Sequence, residues 1–201
     1  MERHQEEQAD ICDDYHHCQA FQAEESLKAH WGDSYDVYYA KVAAAVAATR
    51  GQVLLWEGEL VDPVYHSTCG GKTESAAGCW QHDVPVLQSV TCLWDSDAPR
   101  YLATDRFSEA EIMEKLGVSK EELAQFQIVS RTDGGRVAEA TAGSKSWSGT
   151  EIRSLLGLNS ANFSYIVTDD EWLFTVQGFG HGVGLCQYGA KGMAEALIKN
   201  N

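Results

Sequence analysis

Cys12 and Cys18 flank a short polar stretch that carries His16 and His17, and His4 lies a little upstream. Thiolate and imidazole are the donors that tetrahedral zinc prefers. Two cysteines and two histidines would close a structural site. Such a site would organise residues 9–19, which show neither helical nor strand periodicity. The spacing by itself leaves three readings open: zinc, a local Cys12–Cys18 disulfide, or free thiols.

A second constellation is Tyr65-His66-Ser67-Thr68-Cys69-Gly70-Gly71-Lys72-Thr73-Glu74. Paired glycines let a ligand approach the backbone, and Tyr, His, Ser and Thr supply hydrogen bonds of the kind sugars use. The bland alternative is an ordinary strand-to-loop exit. His66 and Ser67 are adjacent on a predicted strand and point to opposite faces, which argues against a base–nucleophile couple. A third is Gly178-Phe179-Gly180-His181-Gly182-Val183-Gly184-Leu185-Cys186-Gln187-Tyr188-Gly189-Ala190-Lys191. Alternating glycines ahead of a helix start can cradle an anion or let a polymer lie against backbone. The segment lacks the Gly-Lys-Ser/Thr ending of a P-loop and the βαβ setting of a dinucleotide fingerprint. A single histidine among four glycines is poorly explained as core filling.

The elements that must position these residues are legible from periodicity. A helix is expected from Ser34 to Arg50, with Tyr35, Tyr38, Val42, Ala45 and Val46 at helical spacing and Gly51 to end it. Gln52–Trp56 and Glu59–Val64 read as a hairpin turning at Glu57-Gly58. Ser108 with Glu111, Ser119 with Glu122 and Ser148 with Glu151 each form the Ser-x-x-Glu start of a short helix. Strands are expected at Phe126–Ser130 and Arg136–Thr141, around Thr132-Asp133-Gly134-Gly135, and at Phe163–Val167 and Trp172–Val176. A last helix runs from Gln187 to Ile198. Helices and strands mix without a βαβ rhythm, so the expected class is α+β, in a single domain over residues 1–201.

The 201 residues carry a formal net charge of −15, and 44% are hydrophobic. Such a surface repels phosphate backbones and anionic headgroups, so nucleic acid and anionic membrane are excluded as partners. No apolar run is long enough to span a membrane. Residues 1–11 have no signal-peptide pattern, leaving a cytoplasmic protein or one whose targeting segment has been removed.

Three stretches together carry a family resemblance: YHSTCGGKTE followed by VPVLQSV, GFGHGVGLCQYGAKGMA, and the early ADICDDYHHCQAF. With TRGQVLLW and SGTEIRSLLGLNSANF in the same order, the chain resembles the stage II sporulation protein D family, also called the LytB or amidase-enhancer family, over nearly its whole length. The resemblance implies a lytic transglycosylase that cleaves peptidoglycan glycan strands stripped of stem peptides and leaves a 1,6-anhydro-muramic end. It implies structural zinc held by Cys12, His17 and Cys18, with His4 as fourth ligand. It also implies a glycan-binding groove walled by Tyr65, His66, Ser67, Gly70, Gly71 and Thr73 and by His181, Gly182, Gln187, Tyr188 and Lys191. An extracytoplasmic, membrane-anchored protein in the cell envelope follows, working beside a cell-wall amidase such as stage II sporulation protein P.

That chemistry needs one carboxylic acid, which protonates the glycosidic oxygen and then helps the sugar's own 6-hydroxyl attack the anomeric centre. In the family this Glu sits in a helix just before the zinc loop. The chain starts at Met1 after that point and looks clipped after Asn201, so no catalytic residue is expected within it and little cleavage. Glu74 is the one acid inside a signature region, and Glu25 in Glu-Ser-Leu-Lys-Ala falls on the wrong side of Cys18 to be the equivalent. The alternative is a non-catalytic glycan-binding module that enhances an amidase. Relatives often have Ser where Cys69 and Cys186 stand. With both signature regions on one groove, Cys69, Cys92 and Cys186 are expected to lie together, as a disulfide or around a shared metal.

Overall fold

The computed structural model describes residues 11–14, 18, 20–169 and 171–199. They fall into two units, Met1–Val53 and Leu54–Asn201.

In the first unit, α1 (Glu24–Trp31) begins with Glu24 and Glu25 and ends with Lys28 and His30, charges that complement the helix dipole. Gly32 stops it at φ 49°. Next comes α2 (Tyr35–Ala48), the helix expected from Ser34. Its alanine-rich sequence favours helix strongly. Its apolar residues do not form a core face, however: Val37, Tyr38, Tyr39, Val42 and Val46 are all exposed. Trp31 meets Tyr38 edge-on, and Tyr35 stacks on Tyr39.

The second unit opens with the hairpin β1 (Leu55–Trp56) and β2 (Glu59–Leu60), paired antiparallel. Glu57 and Gly58 both take positive φ, as a tight two-residue hairpin turn requires. The ladder is shorter than the sequence suggests. Leu54, Leu55 and Leu60 are exposed, so no buried face extends it. Then follow β3 (Tyr65–His66), α3 (Ala76–Trp80), β4 (Leu102–Ser108), α4 (Glu109–Leu116), α5 (Lys120–Leu123), β5 (Gln127–Arg131), β6 (Val137–Ala142), β7 (Lys145–Trp147) and α6 (Gly149–Leu156). The chain continues through β8 (Phe163–Thr168), β9 (Glu171–Gln177), β10 (Leu185–Cys186) and α7 (Gln187–Lys199). All three Ser-x-x-Glu starts are reciprocal capping boxes, on α4, α5 and α6.

Two three-stranded antiparallel sheets, β4-β9-β8 and β5-β6-β7, carry the core with α4 and α6. Trp172, Phe174 and Val176 alternate inward along β9. They pair with Phe107 and Ala103 on one side and with Tyr165 and Phe163 on the other. Ile112, Leu116, Ile152 and Leu156 close the layer from the helices, while Leu155 faces out. Mixed helices and small sheets give the α+β class. The elements α1, α3, β4, β7 and β10 escape the sequence reading. β4 has no fully buried residue to mark its alternation, and α3 is only five residues long.

Candidate functional site

The end of the core sheet delivers one glycine-rich segment onto the other. β9 stops at Gln177, whose side-chain amide donates to the Gly70 carbonyl (2.8 Å), and Gly178 N–H donates to the Tyr101 carbonyl (2.8 Å). Thr68 and Phe179 exchange backbone hydrogen bonds of 3.0 and 2.8 Å. β10 then lies parallel to β3, with Leu185 opposite Tyr65 and Cys186 opposite His66. Glu74 N–H donates to the Gly182 carbonyl (2.8 Å). Gly182 is at φ 84°, and a Cβ there would sit 2.0 Å from Arg136 Nη2. Only glycine fits that backbone and that space.

Sequence reasoning missed Arg136, which pins this junction. Buried at 4% exposure, it donates to the carbonyls of Cys69 (3.1 Å), Lys72 (3.3 Å) and Gly134 (3.2 Å). Burial lowers its pKa, and the Glu74 carboxylate opposes the shift. Its position next to the Asp133-Gly134-Gly135 turn was the available signal. Glu74 is fully buried. One oxygen accepts the Ser75 N–H (2.8 Å), and the other accepts the Thr132 hydroxyl. It stands behind the surface, with Gly78 and Gly134 leaving it room.

The residues expected to wall a groove divide by exposure. Tyr65, Gln187 and Lys191 are exposed, and Ser67, Gly71, His181 and Tyr188 are half-buried. His66, Gly70, Thr73 and Gly182 are buried. His181 Nδ1 accepts the Val183 N–H (3.1 Å). Burial, then the neighbouring His66, pull its pKa down to about 4, so it is a neutral imidazole near pH 7. Thr73 serves the fold: its hydroxyl accepts Val90 N–H (2.8 Å).

Two clefts adjoin the junction, and Trp80 lines both. The first, of ≈ 350 Å³, is bounded by Trp56, Glu59, Asp62, Val64, Trp80 and Leu87 among others. The second, of ≈ 440 Å³, lies between α3 and the start of α6, against Gln81, Thr132, Ser148 and Glu151. The His181 ring lies 5.3 Å from the Trp80 ring, and Leu185 N–H donates to the Val64 carbonyl (3.1 Å). The first cleft therefore flanks the meeting point of the two signature segments. Neither tryptophan was singled out from the sequence, because nothing local distinguishes them from core aromatics.

Behind the junction the cysteines gather as expected. A ring nitrogen of His66 and the sulfurs of Cys69 and Cys186 lie within 4.8 Å of one another, as do the donor atoms of Cys69, Cys92 and Asp95. The described residues thus include groups able to hold a metal ion. Cys69, Cys79, Cys92 and Cys186 are thiols, with no disulfide among them. The Cys69 thiol donates to Asp95 Oδ2 (3.0 Å), which also accepts Gly70 N–H (2.8 Å). Cys186 Sγ accepts the N–H groups of Cys69 (3.3 Å) and Gly189 (3.2 Å). The hydrogen bond between the thiols, reinforced by burial and by Asp95, drives Cys69 upward. The same bond, with the two N–H donors, draws Cys186 down against its burial.

At the early loop, Cys12 and Cys18 are both half-buried, and Cys18 N–H donates to the Asp14 carbonyl (2.7 Å). Cys12 Sγ lies 4.0 Å from the same carbonyl. The Asp14 contact lowers the Cys12 pKa, but burial and the Cys18 thiol outweigh it and leave the net shift upward. His4 and His17 lie outside the described residues.

An α+β chain with two glycine-rich segments locked side by side and a cysteine–histidine cluster behind them defines the class. The family model described as "Stage II sporulation protein" matches residues 1–56. Stage II sporulation protein D of Bacillus subtilis (strain 168) is 39% identical over 186 residues, 92% of this chain and 54% of that protein. Its Bacillus amyloliquefaciens counterpart is 40% identical over the same shares. The protein named "Amidase enhancer" from Bacillus subtilis (strain 168) is 25% identical over 210 residues, covering 76% of this chain and 29% of its own length. The chain is a relative of the stage II sporulation protein D family, and it spans about half the length of the two Bacillus relatives. Among the described residues no helix is long and apolar enough to cross a membrane.

Proposed function

We propose that this chain supplies the glycan-recognition face of a cell-envelope protein that acts on peptidoglycan strands. The whole protein would work as a lytic transglycosylase of the engulfment type. The observation that carries the reading is Trp80, shared by two clefts and faced by the neutral His181 ring where the two signature segments meet. Sugar recognition needs an apolar ring face for the pyranose C–H surface and polar groups around it. Trp56 and Trp80 offer the faces. Glu59, Asp62, Gln81, Thr132 and Ser148 offer the hydrogen bonds, with Tyr65 and Ser67 close by in the chain. The tandem clefts suit a polymer better than a single small ligand. Glu59, Asp62 and Glu151 are the carboxylates lining them; Glu74, being buried, supports the wall.

In this reading the early loop is a structural zinc site. Cys12 and Cys18 would supply two thiolates, and His4 and His17 would complete the tetrahedron. Both thiols are half-buried, and Cys12 Sγ and Cys18 N–H meet at the same Asp14 carbonyl, a folded loop of the kind a shared ion would hold. The ion would tie down a segment with little core of its own.

Co-sedimentation with glycan strands stripped of stem peptides tests the proposal. Trp80→Ala should weaken binding roughly tenfold or more, the scale of one lost aromatic platform, with the fold intact by circular dichroism. Binding unchanged by Trp80→Ala and Trp56→Ala would refute the groove. A second reading, a glycan-binding partner of an amidase, draws on the printed name of the amidase-enhancer relative. Release of anhydro-muramyl ends by the full-length protein favours the enzyme. Stimulation of an amidase without such release favours the partner.

A further inference from the structure

We infer that His66, Cys69 and Cys186, with Cys92 or Asp95 as fourth donor, form a buried site for a borderline-soft divalent cation of the zinc type, separate from the early loop. Four observations lead there, and none depends on the glycan reading.

The histidine comes first. His66 is buried at 4% exposure, and its Nδ1 is 3.0 Å from the Val183 carbonyl. A carbonyl only accepts, so Nδ1 carries the proton and Nε2 presents its lone pair. Among the described residues Nε2 has no hydrogen-bond partner. A buried imidazole oriented by a backbone carbonyl through one nitrogen and unsatisfied at the other is the arrangement of a metal ligand with its supporting contact. The sulfurs come second. Cys69 and Cys186 stand beside that ring, within the span a tetrahedral ion bridges, and thiolate with imidazole selects zinc-like ions over magnesium or calcium.

The third observation is space. A Cβ on Gly189 would sit 2.4 Å from Cys92 Sγ and 3.2 Å from Cys186 Sγ. The missing side chain there leaves room for two sulfurs to approach. The fourth is the ring of N–H donors. Gly70 and Gly71 donate to the two Asp95 oxygens (2.8 and 3.2 Å), and Cys69 and Gly189 donate to Cys186 Sγ. Such donors stabilise anionic ligands in a dry site, where uncompensated charge is costly. Burial also decides against a catalytic cysteine. Cys186 and His66 are 5% and 4% exposed, so no substrate carbonyl could reach the sulfur.

The ion would join the β3 segment, β10 and the Cys92–Asp95 strap, making the site a clasp across the two signature segments. Loading it displaces one proton to solvent from each ligating thiol, Cys69 and Cys186 and, where it is the fourth donor, Cys92, and no oxidant is required. Cobalt(II) is the probe, because thiolate-to-cobalt charge transfer reports sulfur ligation directly. The chain carrying Cys12→Ser and Cys18→Ser should still show that band and a tetrahedral visible spectrum, both bleached by zinc. His66→Gln should weaken cobalt binding while keeping the sulfur band, and adding Cys69→Ser and Cys186→Ser should abolish it. In the otherwise unaltered chain, Cys69→Ser with Cys186→Ser should remove one class of bound cobalt, and Cys79→Ser should remove none. This second comparison stands even if loss of the early loop unfolds the chain. The inference is overturned if bound cobalt is unaffected by Cys69→Ser with Cys186→Ser. Peptide mapping that finds a Cys69–Cys186 disulfide in protein purified without reductant overturns it as well.

Discussion

At the scale of single residues, the junction depends on what is absent as much as on what is present. Gly182 has φ 84°, and the Arg136 guanidinium fills the place of a side chain. Gly182→Ala should therefore cost about 1–3 kcal/mol through backbone strain and displacement of a buried cation. Urea denaturation of the variant measures it, and a loss within error of zero would mean that Arg136 swings aside freely. Arg136 itself shows why residue type alone misleads. Read from the sequence it is one more surface charge; in the fold it binds three carbonyls, those of Cys69 and Lys72 on a distant segment and that of Gly134 in its own turn. Glu74 reverses in the same way, from an acid within a signature to a buried post held by Ser75 and Thr132.

At the scale of elements, the short helices are decided by their first turns. The box on α6 is complete: the Ser148 hydroxyl accepts Glu151 N–H (3.2 Å), and the Glu151 carboxylate accepts Ser148 N–H (2.7 Å). Ser148→Ala should cost about 1 kcal/mol in thermal or chemical unfolding. The Ser148 backbone N–H, then its hydroxyl, hold the Glu151 carboxyl below its ordinary 4.5. A carboxyl with a depressed folded pKa stabilises fully above its unfolded value, and that contribution disappears as pH falls through the folded value. Glu151→Ala should thus lower the melting temperature at pH 7 and leave it nearly unchanged in strong acid. An equal loss at both ends of the titration would show that the carboxylate's charge is irrelevant to α6.

At the scale of the whole molecule, the net charge of −15 constrains what can be bound. Salt screens the repulsion of anions, while stacking and neutral hydrogen bonds are nearly indifferent to it. Binding to glycan strands stripped of stem peptides should change little between low and high salt. Retention on an anionic polymer such as heparin should be absent at low salt. Strong glycan binding that vanishes with added salt would point to lysine contacts, Lys191 first, in place of ring stacking.

The sequence determined this protein's local structure and its family resemblance. Ser-x-x-Glu boxes, the Glu57-Gly58 turn and the alternation of Trp172, Phe174 and Val176 act through neighbours a few residues away, so pattern reveals them. The two glycine-rich signatures were equally plain, and it was the family resemblance, by placing both on one groove, that raised the prospect of Cys69, Cys92 and Cys186 meeting. Only the tertiary structure decided which signature residues face outward. His66 and Ser67 differ by one position, yet one is buried against Val183 and the other is half-exposed. It also decided that Trp80, with no mark of its own in the sequence, would stand against His181 between two clefts. The reason is physical. Burial and contact across 117 residues, as between Cys69 and Cys186, follow from how β9 delivers the second segment onto the first, and no local window of sequence contains both sides of that contact.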